Sequence, residues 1–157
     1  MFPPRGLTEI VELYGNPDPD GDGNLNTSWW DQYMLLYTLP WPMRTSWDGR
    51  EVTRQWIHRA VGPHMIAALE DIGRQVPIKC LRECNCDRLG GVFNFRRKRG
   101  GGEMSTHAWG IAIDINPHLG PLGGPDHQPD FIKRAFTTRG FMNLAHDTMH
   151  FQLASGY

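Results

Sequence analysis

The chain reads as one α+β domain, its N-terminal half helical and packed on a small, mainly antiparallel sheet in the C-terminal half. Three observations point there. Apolar residues recur at helical spacing early in the chain, as in Ile10, Val11, Leu13 and Tyr14, and again in Met65, Ile66, Leu69 and Ile72. Late in the chain the period changes to two: Ile111, Ile113 and Ile115 alternate with Ala112 and Asp114, and Met149, Phe151 and Leu153 alternate with His150 and Gln152. A length of 157 residues with 39% hydrophobic content is enough to bury one core and leaves no room for a second domain, so residues 1–157 are expected to form one unit.

Residues 7–14 are predicted to be a short amphipathic helix, with Gly15 as its stop. The stretch that follows places Asp18, Asp20, Asp22 and Gly23 at the spacing of the first half of a calcium loop. The twelfth position is Trp29 where such a loop needs a bidentate glutamate, so a turn rich in Asp and Gly is expected. Calcium on Asp18, Asp20 and Asp22, completed by Asn26 or Asp31, is the disfavoured alternative. Ser28 and Asp31 resemble a capping box opening a helix over 29–39. A third helical piece is predicted over 52–75, restarting at Gly62-Pro63 with Pro63 in the first turn of the new helix.

In the second half, 78–81 and 92–96 are predicted as short strands bounded by Pro77 and by Gly90-Gly91. Strands over 111–115 and 148–153 follow, each carrying a polar residue opposite its oily side: Asp114 on the first and His150 on the second. Residues 117–130 hold too many Pro and Gly for regular structure and are expected to be a rim or lid, with His118 and His127 as surface residues. A helix over 130–137 should turn Phe131, Ile132 and Phe136 inward.

A net charge of −1 lacks the basic footprint of a nucleic-acid binder. The local exception is Arg96-Arg97-Lys98-Arg99, followed by Gly100-Gly101-Gly102. It reads either as a solvated strand end or as an anion-contacting edge, since the glycines deliver the chain to Ser105 and His107. It is not a phosphate loop, because no Gly-Lys-Ser/Thr follows. Cys80, Cys84 and Cys86 lack paired Cys-x-x-Cys units and are expected to be reduced, structural thiols. No secretory signal or membrane span is legible. Cytoplasmic synthesis and a monomer are expected, with any action outside the cell depending on release.

The chemistry-bearing residues are His107, Asp114, Asp147 and His150. A catalytic zinc takes three protein ligands and keeps a fourth position open, so His107, Asp114 and His150 fill the protein's share and Asp147 is left as a base. Asp114 in a hydrophobic strand would be costly unless paired or metal-bound. A second reading stands beside this one: His146-Asp147-Thr148-Met149-His150 is spaced like His-Glu-x-x-His, which would make His146 and His150 the ligands. The period-two alternation after Thr148 argues against the helix that motif requires.

Ser105-x-His107-x-x-Gly110-x-Ala112-x-Asp114, followed by Asp147-x-x-His150-Phe151, resembles the paired signature of the zinc D-alanyl-D-alanine carboxypeptidase and L-alanyl-D-glutamate endopeptidase family. That family includes vancomycin-resistance peptidases and many phage endolysins, and its fold is shared with hedgehog-type domains. Gly90-Gly91-Val92-Phe93-Asn94-Phe95-Arg96 is similar to the segment preceding the first motif in the phage-type branch. The similarity runs from about 78 to 153.

The resemblance implies zinc on His107, Asp114 and His150, with Asp147 as the catalytic carboxylate. It implies Arg96 as the arginine that holds the substrate carbonyl or developing oxyanion, with Arg82 as a second candidate. Ser105 would steady the loop or the ring of His107. Phe141-Met142-Asn143 departs from the family, which commonly has a tryptophan and glycines there. The implied substrate is bacterial peptidoglycan, cut at L-Ala–D-Glu by a phage lysis enzyme or virion-associated hydrolase. The alternatives are a D,D- or L,D-carboxypeptidase, and a noncatalytic zinc-binding interaction domain of the same fold.

Overall fold

The computed structural model describes residues 2–157. Helices α1 (Gly6–Tyr14) and α2 (Thr27–Tyr33) lead into a long hairpin of β1 (Met34–Thr45) and β2 (Glu51–His58). Then come α3 (Gly62–Gln75), α4 (Ile78–Glu83), β3 (Arg88–Gly91), a 3-10 turn at Thr106–Trp109, β4 (Ala112–Ile115), α5 (Asp130–Thr137), β5 (Met142–Leu144) and β6 (Asp147–Gln152). One six-stranded sheet has the order β2-β1-β3-β4-β6-β5. It is antiparallel except where β1 runs parallel to β3. The α+β class agrees with the sequence reading.

The first helix is as predicted, with the Arg5 amide donating to the Glu9 carboxylate at 2.7 Å and Gly15 taking φ 73° at its end. The second is shorter than 29–39 and differently capped: Asn26, not Ser28, accepts from the Trp29 amide, at 2.9 Å. From Met34 the chain is strand. Pro40 and Pro42 cannot continue a helix, and they fall where the hairpin register shifts between Thr38 and Met43.

The predicted helix over 52–75 is likewise split. Residues 51–58 pair with β1 from Arg44↔Glu51 to Met34↔His58, and only the part from Gly62 onward is helical, with Pro63 in its first turn. Residues 78–81 form helix α4 rather than a strand, and the strand expected at 92–96 lies earlier, at Arg88–Gly91. Short apolar runs do not distinguish the two structures by pattern alone; tertiary pairing decides.

Helix α5 agrees with its prediction to the residue, with Ile132 and Phe136 buried and Phe131 half-buried. Phe136 stacks on Phe151 of β6 with ring centroids 4.6 Å apart, and the Trp41 indole donates to the Leu69 carbonyl of α3 at 2.8 Å. Helices α3 and α5 thus cover the oily face of the sheet and leave the other for chemistry.

The end of helix α1 is fastened to the C-terminal half of the chain. Trp109 Nε1–H donates to the Gly15 carbonyl at 2.8 Å, and the Tyr14 hydroxyl donates to Leu153 O at 2.9 Å. His58, buried against Tyr14 and Tyr33, accepts from the Ala60 amide at Nδ1 and donates from Nε2 to Tyr14 O. Burial pushes its pKa down to about 4. The Asp18 carboxylate accepts from the amides of Asp22 and Gly23, each at 3.1 Å, which closes the acidic turn. Cys80, Cys84 and Cys86 are free thiols. Burial pushes the Cys86 thiol up to about 12. No helix among the described residues is long and apolar enough to cross a membrane.

Candidate metal centre

Strands β4 and β6 pair so that Asp114 stands directly opposite His150. Alternation turns both side chains off the face that buries Ile113 and Phe151, so each shares its side of the sheet with the other. His107 arrives from the 3-10 turn. Ser105 caps that turn, its hydroxyl accepting from the His107 amide at 3.3 Å, and Gly110 ends it at φ 66°. A Cβ at Gly110 would come within 2.7 Å of Met34 Cε, so the turn needs glycine for both conformation and space.

Ligand atoms of His107, Asp114 and His150 all lie within 4.8 Å of one another, a grouping that could hold a metal ion. His107 Nδ1–H donates to the Val92 carbonyl at 2.7 Å. This leaves Nε2 as an acceptor, buried, with no hydrogen-bond partner, 3.2 Å from Asp114 Oδ1. Two buried acceptors facing each other repel unless a proton or a cation lies between them. On the far side His150 Nδ1 is 2.9 Å from the same oxygen. Its Nε2 lies 3.0 Å from Gln152 Oε1, which also accepts from the Thr106 hydroxyl at 3.0 Å. These spacings approach the roughly 3.3 Å edge of a tetrahedral zinc site built on bonds of about 2.0 to 2.1 Å. Each histidine is also oriented by an acceptor on its other nitrogen, as metal-bound imidazoles are. The donor set therefore fits zinc.

The charges follow from the same contacts. Burial would raise the Asp114 carboxyl, but the two imidazoles beside it, His107 and the hydrogen-bonded His150, outweigh burial, and its pKa falls far below the usual carboxylate range. For His150 burial acts to lower the pKa, and the Asp114 carboxylate reverses it to a net rise. Asp147, the first residue of β6, is displaced upward by burial, partly offset by His150. Its Oδ1 is buried and without a hydrogen-bond partner.

A cavity of about 360 Å³ opens over the three-residue group and is lined also by Asp147, Arg96 and His146. Among the described residues the Arg96 guanidinium donates only to the Arg97 carbonyl. Arg82 is elsewhere, its guanidinium on Glu51 and beside Asp87. His146 is exposed at the rim and outside the convergent group, so the His146–His150 pairing of a helical zinc motif is not the one the fold assembles. His118 lines a separate cavity with Arg88. Sequence reasoning gave no role to Thr106 and Gln152. Gln152 shares the parity of His150 and was findable on that ground; Thr106 carries no such signal.

A family model described as D-alanyl-D-alanine carboxypeptidase matches residues 99–153. The matched segment contains His107, Asp114, Asp147 and His150 and begins after Arg96. No curated protein and no solved structure matches the chain.

Proposed function

We propose, from the match of residues 99–153 to a family model described as D-alanyl-D-alanine carboxypeptidase, that the protein is a zinc peptidase hydrolysing the peptide stems of bacterial peptidoglycan. The observation that carries this reading is a pair of buried, unpartnered acceptors, His107 Nε2 and Asp147 Oδ1, in one cavity with Asp114 and His150. The first wants a cation, and the second is free to take a proton.

His107, Asp114 and His150 would hold the ion, which when bound would supply Lewis acidity and a lowered pKa for water. Asp147 is the general base: its raised pKa suits a group that takes the proton of the attacking water and returns it to the leaving amine. Asp is one methylene shorter than Glu, and its place at the start of β6, three residues before His150, brings it close enough to share the cavity. Arg96, in the cavity wall, stabilises the negative charge that develops on the carbonyl oxygen. Val92, Gln152 and Thr106 keep the two imidazoles oriented throughout.

Within this class the favoured bond is L-Ala–D-Glu, cut by a phage lysis enzyme or virion-associated hydrolase; the phage-type segment Gly90 to Arg96 supports it. Carboxypeptidase action is the second reading, supported by the description of the matching family. Zinc-loaded protein incubated with peptidoglycan and followed by mass spectrometry separates them. New amine ends at D-Glu mark the endopeptidase, and free D-Ala marks the carboxypeptidase. Absence of any product, with Asp147→Ala indistinguishable from the parent, overturns both and leaves a noncatalytic zinc-binding domain.

A further inference from the structure

The basic run does not wave in solvent; it folds back as an arm along one end of the cavity. The Ser105 amide donates to Arg96 O at 2.9 Å, the Lys98 amide donates to Glu103 O at 2.8 Å, and Arg97 bridges Met104. The arm is fastened to the C-terminal segment. The Tyr157 hydroxyl donates to Met104 O at 2.7 Å, and Lys98 Nζ lies 3.7 Å above the Tyr157 ring centroid. Gln152 Nε2–H in turn donates to Tyr157 O, which sets the arm beside the last residue of β6.

Lys98 and Arg99 both line the cavity. Lys98 pairs with Glu103 at 2.9 Å, whereas Arg99 is exposed and has no carboxylate partner among the described residues. At the opposite end of β6, where Asp147 pairs with Leu144, the apolar side chains of Leu144, Met149 and Leu122 join Asp147 and His146 in the cavity wall, Leu122 being 48% exposed on the Pro-Gly loop. The loop is pinned there by the Gly123 amide on His146 O at 2.7 Å and the Met149 amide on Gly120 O at 3.1 Å. One cavity therefore has a cationic end and an apolar end, with the metal ligands between them.

We propose that Arg99, assisted by Lys98, is a carboxylate-binding subsite that selects stem peptides carrying a free carboxylate near the scissile bond, while Leu122, Leu144 and Met149 receive a small apolar side chain. The assignment rests on the peptidase reading of the same cavity. An unpaired guanidinium at a cavity edge attracts an anion and can hold it through two parallel hydrogen bonds. A neighbouring apolar wall gives an alanine methyl a dry face. In the stem, D-Glu bears such a carboxylate next to L-Ala, and its amidated form keeps the shape without the charge.

The test compares two stem peptides, one with the D-Glu α-carboxyl free and one with it amidated. Binding is measured by calorimetry on zinc-loaded Asp147→Asn, and turnover on the zinc-loaded parent. The free acid should bind about ten-fold more tightly than the amide, the scale of one charge-assisted contact. Arg99→Gln should remove most of that preference while leaving affinity for the amide, zinc content and thermal unfolding unchanged. Equal binding of the two peptides, a preference undiminished in Arg99→Gln, or no binding of either overturns the subsite. A charge preference in binding without turnover by the parent retains the subsite and overturns the peptidase reading instead.

Discussion

The Val92 carbonyl accepts the Nδ1 proton of His107 at 2.7 Å, and this one bond decides which nitrogen faces Asp114. With Nδ1–H committed to the backbone, Nε2 presents a lone pair to the centre. Val92 follows directly on β3, so the strand that abuts Asp114 also fixes the tautomer of His107.

Ligand and base should separate experimentally. His107→Ala and Asp114→Ala are expected to lose bound zinc and, with it, activity. Asp147→Asn should retain about one zinc per chain while kcat falls about 100- to 10,000-fold, as removal of a general base does. Metal analysis beside steady-state kinetics checks this, and loss of zinc from Asp147→Asn would contradict the assignment.

Arg96→Ala is expected to lower kcat about 100-fold or more with zinc content unchanged, because its contact is with charge that forms during the reaction. Arg82→Ala, at a guanidinium engaged by Glu51, should leave kcat near the parent value. The reverse result would move the oxyanion role to Arg82.

Gln152→Leu keeps the volume and removes the acceptor that faces His150 Nε2 at 3.0 Å. Zinc affinity should fall about 10- to 100-fold, as it does when such supporting partners are removed from metal-bound histidines. A competition titration with a chelator reads it directly; unchanged affinity would show that Thr106 alone suffices.

Gly90 lies against the site from below. A Cβ there would stand 2.8 Å from Asp114 Cβ and 2.8 Å from Pro117 Cγ. Gly90→Ala should therefore displace Asp114, costing about 1 to 3 kcal/mol of stability as overpacking does, and weaken zinc binding with it. Thermal unfolding with and without zinc would detect both effects.

His58 gives the metal-free protein a pH dependence of its own. Its folded pKa of about 4 lies below its ordinary value of 6.5, so between the two the unfolded chain binds a proton that the folded chain refuses. The contribution is fully present above about pH 6.5 and is lost as pH falls toward 4, amounting to about 3 kcal/mol at most. In chemical denaturation with a chelator present, His58→Gln should flatten that slope, and an unchanged slope would assign it to other groups.

Much of the site was legible because its residues obey a period of two. Asp114 and His150 could be placed off the oily faces of their strands from alternation alone, and the structure brings them opposite each other. The N-terminal half was less legible for a physical reason. Residues 34–39 and 52–58 hold aromatic and β-branched side chains that suit either a buried helix or a strand, and their mutual pairing, invisible in either segment alone, settled the choice. The cationic arm posed a related problem: its four charges announce themselves, but the tyrosine that anchors it lies more than fifty positions away.

Trp109 and Tyr14 carry a consequence for how the chain can be divided. The segment that matches the family holds both motifs, yet it contains neither strand β1 nor helix α3. The indole of Trp109 is satisfied by Gly15, and the hydroxyl of Tyr14 closes on Leu153. Excised, residues 99–153 would lose strand β3 from beside β4 and orphan both hydrogen bonds, so the recognisable part is not a transplantable module. What can be inherited by itself is the pair of motifs; the scaffold that makes them work has to be supplied by the less familiar two-thirds of the chain.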